Sequence, residues 1–99
     1  NHALPSFKFK TVEDSESISC FIKLKLLRDY FRNDWVPDHT YYGQSTEIKY
    51  YICVVEDNII HIEEAVSTGH FLEFETKQQA KSFADMFKDL IIKAKDLIG

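Results

Sequence analysis

Two stretches of helical period flank three short β-rich runs. From Ile18 to Asn33 the chain has no Gly or Pro. Cys20, Leu24, Leu27 and Phe31 recur at i, i+4, i+7 and i+11, the spacing of one helical face, and Leu26 and Tyr30 widen it. Thr11 and Asp14 stand at capping-box spacing, so this helix begins there or a few residues on, at Ser15 or Ser17. Pro37 is its expected end, because the residue before a proline disfavours the α region.

Ile48 to Val55 reads Ile-Lys-Tyr-Tyr-Ile-Cys-Val-Val, β-branched and aromatic on both faces, which predicts a central strand. Glu56-Asp57-Asn58 is turn chemistry. Ile59 to Ala65 and Phe71 to Glu75 follow as strands, the latter with Leu72 and Phe74 inward and Glu73 and Glu75 outward. Thr76 and Gln79 form a second capping box. Behind it Ala80, Phe83, Phe87, Leu90, Ile91, Ala94 and Leu97 make a long apolar stripe, with Lys81–Asp85 and Asp89–Lys93 at ion-pair spacing. Phe7, Phe9 and Thr11 alternate with Lys8 and Lys10, the pattern of an edge strand or an extended arm over residues 1–10. The sum is a single α+β domain over residues 1–99. It runs helix, three-stranded antiparallel meander, long C-terminal helix, in two layers with both helices on one face of the sheet. The expected core is Leu24, Leu27, Phe31, Ile52, Leu72, Phe74, Phe83, Phe87 and Leu90, and Phe87→Ala is expected to cost about 3–5 kcal/mol.

Composition narrows the function classes. Hydrophobic residues are 44% of the 99 and aromatics 14%, enough to bury a core without staples. The net charge of −4 lacks the basic surplus that phosphate neutralisation asks for, so nucleic-acid binding is not favoured. Charge is nevertheless uneven. Lys8, Lys10, Lys23, Lys25, Arg28 and Arg32 lie in the N-terminal third, while Glu56, Asp57, Glu63, Glu64, Glu73 and Glu75 lie on the sheet segments. This is either an ordinary solvated surface or a bipolar one whose acidic sheet or basic helix meets a partner of opposite charge. Cys20 and Cys53 form no Cys-x-x-Cys pair and read as reduced, unbonded small hydrophobes. No apolar run reaches the length of a membrane span, and Asn1 to Pro5 lacks the basic head and apolar run of a signal peptide. The expected compartment is the cytoplasm, with no membrane partner.

The run Phe21-Ile22-Lys23-Leu24, then Asn33-Asp34-Trp35-Val36-Pro37-Asp38, then Lys49-Tyr50, resembles a group of small phage and mobile-element proteins of gut bacteria. These carry an aromatic-x-Lys-Leu helix, a Trp-x-Pro-Asp turn, a Lys-Tyr strand start and a Leu-x-Phe-x-Ser strand-to-helix segment. Gly69, Leu72, Phe74, Thr76, Ala80, Phe87 and Leu90 fall at matching places. His39 stands where the group often has a second Trp, and the middle hairpin is shorter. The resemblance covers residues from about Thr11 onward. It implies origin in a bacterial host cell and fold, and carries no activity.

Four residues stand out as candidates for binding. Lys23 falls beside Leu26, Leu27 and Tyr30, on the apolar side of the first helix. It either snorkels its charge outward or pairs with a carboxylate such as Asp38. Trp35 and Asp38 either plug and cap the turn or present an anchor to a partner. Tyr51, Cys53 and Val55 alternate with Tyr50, Ile52 and Val54, and two helices cover only one face of a small sheet, so one of these rows needs other cover. A second copy related by a two-fold axis is one cover, and the N-terminal arm is the other. His61, Glu63 and Glu64 show no metal-ligand spacing, and no Gly-rich phosphate loop or nucleophile motif occurs, so no metal, cofactor or catalytic residue is expected. These readings favour a non-enzymatic binding module that meets an unidentified protein or forms a homodimer. The alternative is a nucleic-acid-associated protein using the basic first helix and the arm.

Overall fold

A computed structural model describes residues 12–37, 47–66 and 69–98. The N-terminal arm, Asp38 and the Thr11 cap lie outside the described residues. Helix α1 spans Val12–Arg32, strand β1 Lys49–Val55, β2 Ile59–Ala65 and β3 Glu73–Phe74. Helices α2 (Lys77–Met86), α3 (Lys88–Lys93) and α4 (Lys95–Ile98) follow. The expected α+β class holds.

The sheet order is β2-β1-β3, both pairings antiparallel. This corrects the meander. A meander would make β2 central, whereas β1 takes the middle and β3 crosses to its far side. The reason is burial: β1 alone is apolar on both faces, and β2 carries Glu63 and Glu64. Tyr50, Ile52 and Val54 share a face with Ile60, Ile62 and Phe74, and that face packs against Leu24, Phe83, Ile91 and Ala94. Leu24, Ile52, Leu72, Phe74 and Phe83 are buried as expected. Leu27, Phe31, Phe87 and Leu90 are only partly buried and pack around that centre.

Three further expectations change. First, α1 ends at Arg32, five residues before Pro37. Asn33 turns left-handed at φ 57° and closes the last turn through its N–H to Tyr30 O at 3.2 Å. Asn33→Gly is therefore expected to stabilise by about 1 kcal/mol, since Gly enters that region without the Cβ clash, while Asn33→Val should destabilise. Thermal melts of the two variants check the sign. Second, the C-terminal helix is three segments, jointed at Phe87 (φ −120°, ψ 30°) and Ala94 (φ −102°, ψ 13°). Neither joint holds Gly or Pro. Phe87 N–H still donates to Phe83 O, and Ile91 N–H to Phe87 O, each at 3.0 Å, so the stripe bends around the core without breaking. Third, Lys93 reaches Glu16 on α1 at 3.7 Å rather than Asp89. The second capping box forms as expected, with Gln79 N–H to Thr76 Oγ1 at 3.1 Å and Thr76 N–H to Gln79 Oε1 at 3.2 Å.

Candidate functional site

Two surfaces carry the chemistry: the side of α1 turned from the core, and the sheet with its edges. On α1, successive residues rotate by about 100°. Cys20, Leu24, Leu27 and Phe31 cluster on the core side. Ile22, Leu26 and Tyr30, spaced by four, cluster opposite them. They are 51%, 65% and 83% exposed. This corrects the expectation that Leu26 and Tyr30 widen the core face. Lys23 is exposed too, on the flank of this second stripe rather than among core residues. On the other flank Lys25 pairs with Asp29 at 3.1 Å.

The edge of β3 is closed by arginines. Ile52 N–H donates to Leu72 O at 3.0 Å, so the carbonyls of Phe71 and Glu73, one residue either side, point away from β1. Arg28 Nη1 donates to Phe71 O at 2.9 Å and Arg32 Nε to Glu73 O at 2.9 Å. The two lengths match: four helical residues rise about 6 Å, and two strand residues about 6.6 Å. Arg28 also lies 4.8 Å over the Phe71 ring, which stacks on Phe21 at 4.2 Å. Burial pushes the Arg32 guanidinium down to about 10, well below its ordinary value. Arg28 adds to the shift, while Glu73 and Asp29 oppose it.

Trp35 is half-buried beside this clamp. Its indole N–H donates to Glu47 Oε2 at 3.2 Å, and Arg32 lies 5.6 Å from its ring. Next to it on β1, Lys49 is fully buried, with Nζ donating to Val66 O at 3.1 Å and 3.9 Å from Glu47. Glu73, expected outward, is also fully buried. The structure thus gathers Trp35, Lys49 and Glu73 at one end of the sheet, with Tyr51 opposite Glu73 in register, and leaves Lys23 elsewhere. The arginine clamp and the buried Lys49 carried no local sequence signal, because both depend on contacts more than ten residues apart.

On the sheet face away from the helices, the Tyr51 row meets different fates along its length. Tyr51 stacks on His70, 3.6 Å between centroids and 2° from parallel. Cys53 is half-buried; burial pushes its thiol up, and Glu63 adds to that, so it holds its proton at neutral pH. Both cysteines are free. At the hairpin end Val55 and Ile59 are exposed. His61 Nδ1 stands 3.5 Å from Glu63 Oε2, and among the described residues no group of three metal-ligating side chains converges. No helix among them is long and apolar enough to cross a membrane.

No family model, curated protein or solved structure matches the chain.

Proposed function

We propose that this chain is a non-enzymatic binding module of phage or mobile-element origin, working in the cytoplasm of a bacterial host. It acts by offering α1 to a protein partner. The observation that carries this is the exposed Ile22–Leu26–Tyr30 stripe. A helix laying such a stripe into a groove is a recurring recognition mode, and contiguous exposed apolar surface of this kind marks interaction sites. The flanking Lys23 fits a partner whose apolar groove has an acidic rim. Lys25 is already neutralised by Asp29. Arg28 and Arg32 are committed to β3 carbonyls, so α1 has little free basic charge for a nucleic-acid backbone.

A photo-crosslinking residue at Leu26, compared with one at the exposed Lys77, tests the reading in a bacterial cell. The expected result is a discrete protein adduct from position 26 and none from 77. Leu26→Asp should abolish the same adduct from position 22 while changing stability by less than about 0.5 kcal/mol. Adducts to nucleic acid only, or none, would overturn it.

A further inference from the structure

The two edges of the sheet are treated differently. The β3 edge is closed by Arg28 and Arg32. The β2 edge is seven residues long and carries no Pro, Lys or Arg to keep it from pairing; its charges are Glu63 and Glu64, which any pairing strand has to accommodate. Its backbone polarity follows from β1. Because Ile52 directs its N–H at β3, Tyr51, Cys53 and Val55 direct theirs at β2, and their partners Glu63, His61 and Ile59 answer. Ile60, Ile62 and Glu64 therefore turn both N–H and C=O outward. Among the described residues no backbone bond reaches them from that side.

We propose that a second copy of this chain pairs with this edge, β2 antiparallel to β2, about a two-fold axis at Ile62. The sequence of the strand selects the axis. Centred on Ile62, all seven residues overlap. Ile62 faces Ile62, and Ile60 faces Glu64 on either side, giving three narrow pairs of two hydrogen bonds each. Between them His61 faces Glu63 of the second copy, and Glu63 faces its His61, on the open side of the sheet. An axis at Glu63 would set the two Glu63 carboxylates against each other. An axis at His61 would oppose the imidazoles and shorten the overlap.

The helix side offers room and no net charge. A groove of about 520 Å³ runs between β2 and α2, lined by Ile60, Ile62 and Ala84, with Lys81 and Lys88 balanced by Asp57 and Asp85. In this register Glu64 of the second copy comes to lie beside Ile60, on the side of that groove, within the same strand-to-helix cleft as the two lysines and the two aspartates. The closed β3 edge makes the pairing stop at two copies, since among the described residues no second open edge remains to propagate a fibre. The dimer presents one six-stranded sheet and leaves both α1 stripes, at the opposite edges, free. It is thus independent of the partner proposed for α1.

Light scattering of the 99-residue chain at micromolar to submillimolar concentration should approach twice 11.6 kDa. Hydrogen exchange should show the amides of Ile60, Ile62 and Glu64 gaining protection as the mass rises. Glu64→Pro should return the mass to 11.6 kDa with an unchanged circular-dichroism spectrum, because among the described residues that N–H serves no bond. Leu26→Asp should leave the dimer intact. A monomer mass throughout, protected amides in a monomer (a segment of the same chain on the edge), or a dimer with these amides unprotected would each overturn the pairing. Should Glu64→Pro unfold, the exchange pattern of the unaltered chain still decides. A dimer lost with Leu26→Asp would place the second copy on α1 and overturn the edge assignment.

Discussion

Phe83→Ala is expected to lower the stability of the fold by about 3–5 kcal/mol, the range for emptying a fully enclosed phenylalanine site. Phe83 is fully buried, and three rings close on it: Phe74 and Phe87 at 4.9 Å and Phe31 at 5.1 Å between centroids. These rings come from α1, β3 and the joint after α2, so the cavity would open where three elements meet and no single one could collapse into it. Against a total of roughly 5–15 kcal/mol for a domain, this is a large share. The melting temperature should fall on the order of 20 °C, given the several degrees per kcal/mol typical of this size. Phe87→Ala should cost less, because Phe87 is only partly buried and sits at a bend. Urea unfolding of both variants checks the order. Equal midpoints would mean that the aromatic cluster is not the centre of the core.

That ranking shows what periodicity can and cannot reach. The apolar stripe correctly names residues that touch the core from Ala80 to Ala94 but not Leu97, which is exposed while Ile98 packs in its place; period alone also does not say which of Phe83 and Phe87 lies at the centre, because that depends on where β3 arrives. The same gap produced the error over α1. Ile22, Leu26 and Tyr30 repeat with helical spacing as clearly as Cys20, Leu24, Leu27 and Phe31 do. Nothing local tells a core stripe from a binding stripe. The central place of β1 was legible, since a strand apolar on both faces needs cover on both. Taken alone, it argues against a meander, in which β2 would be central. Lys49 and Glu73 could not be read as buried, because a lysine and a glutamate in alternating strand positions normally face water. Of the four candidate binding residues, Trp35 and Tyr51 fall at the same end of the sheet. Lys23 instead borders the exposed stripe on α1, so its significance came from neighbours that had been assigned to the core.

Arg32→Ala is expected to destabilise by about 1.5–3 kcal/mol, the range for a hydrogen bond made by a charged group. Three consequences combine. The Glu73 carbonyl loses the donor at 2.9 Å that closes the sheet edge, and the Trp35 ring loses the cation stationed 5.6 Å away. The fully buried Glu73 also loses the Coulombic attraction that opposes the lowering of the Arg32 pKa. One term runs the other way: the half-buried guanidinium carries a desolvation cost, and removing the side chain recovers it. Arg32→Lys should therefore rescue little. An ammonium keeps the charge and much of that cost but lacks the planar fork that meets the edge carbonyl. Arg28 shares the edge and repels Arg32, so the pair should not behave additively. Arg28→Ala with Arg32→Ala should differ from the sum of the single losses by at least about 0.5 kcal/mol. The local readout is the Ile52 amide, whose bond to Leu72 O joins β3 to β1. Its hydrogen exchange should accelerate in Arg32→Ala by more than that of Cys53, which faces β2. Equal acceleration at the two amides would mean that the arginine supports the whole fold and does not specifically hold β3 on the sheet.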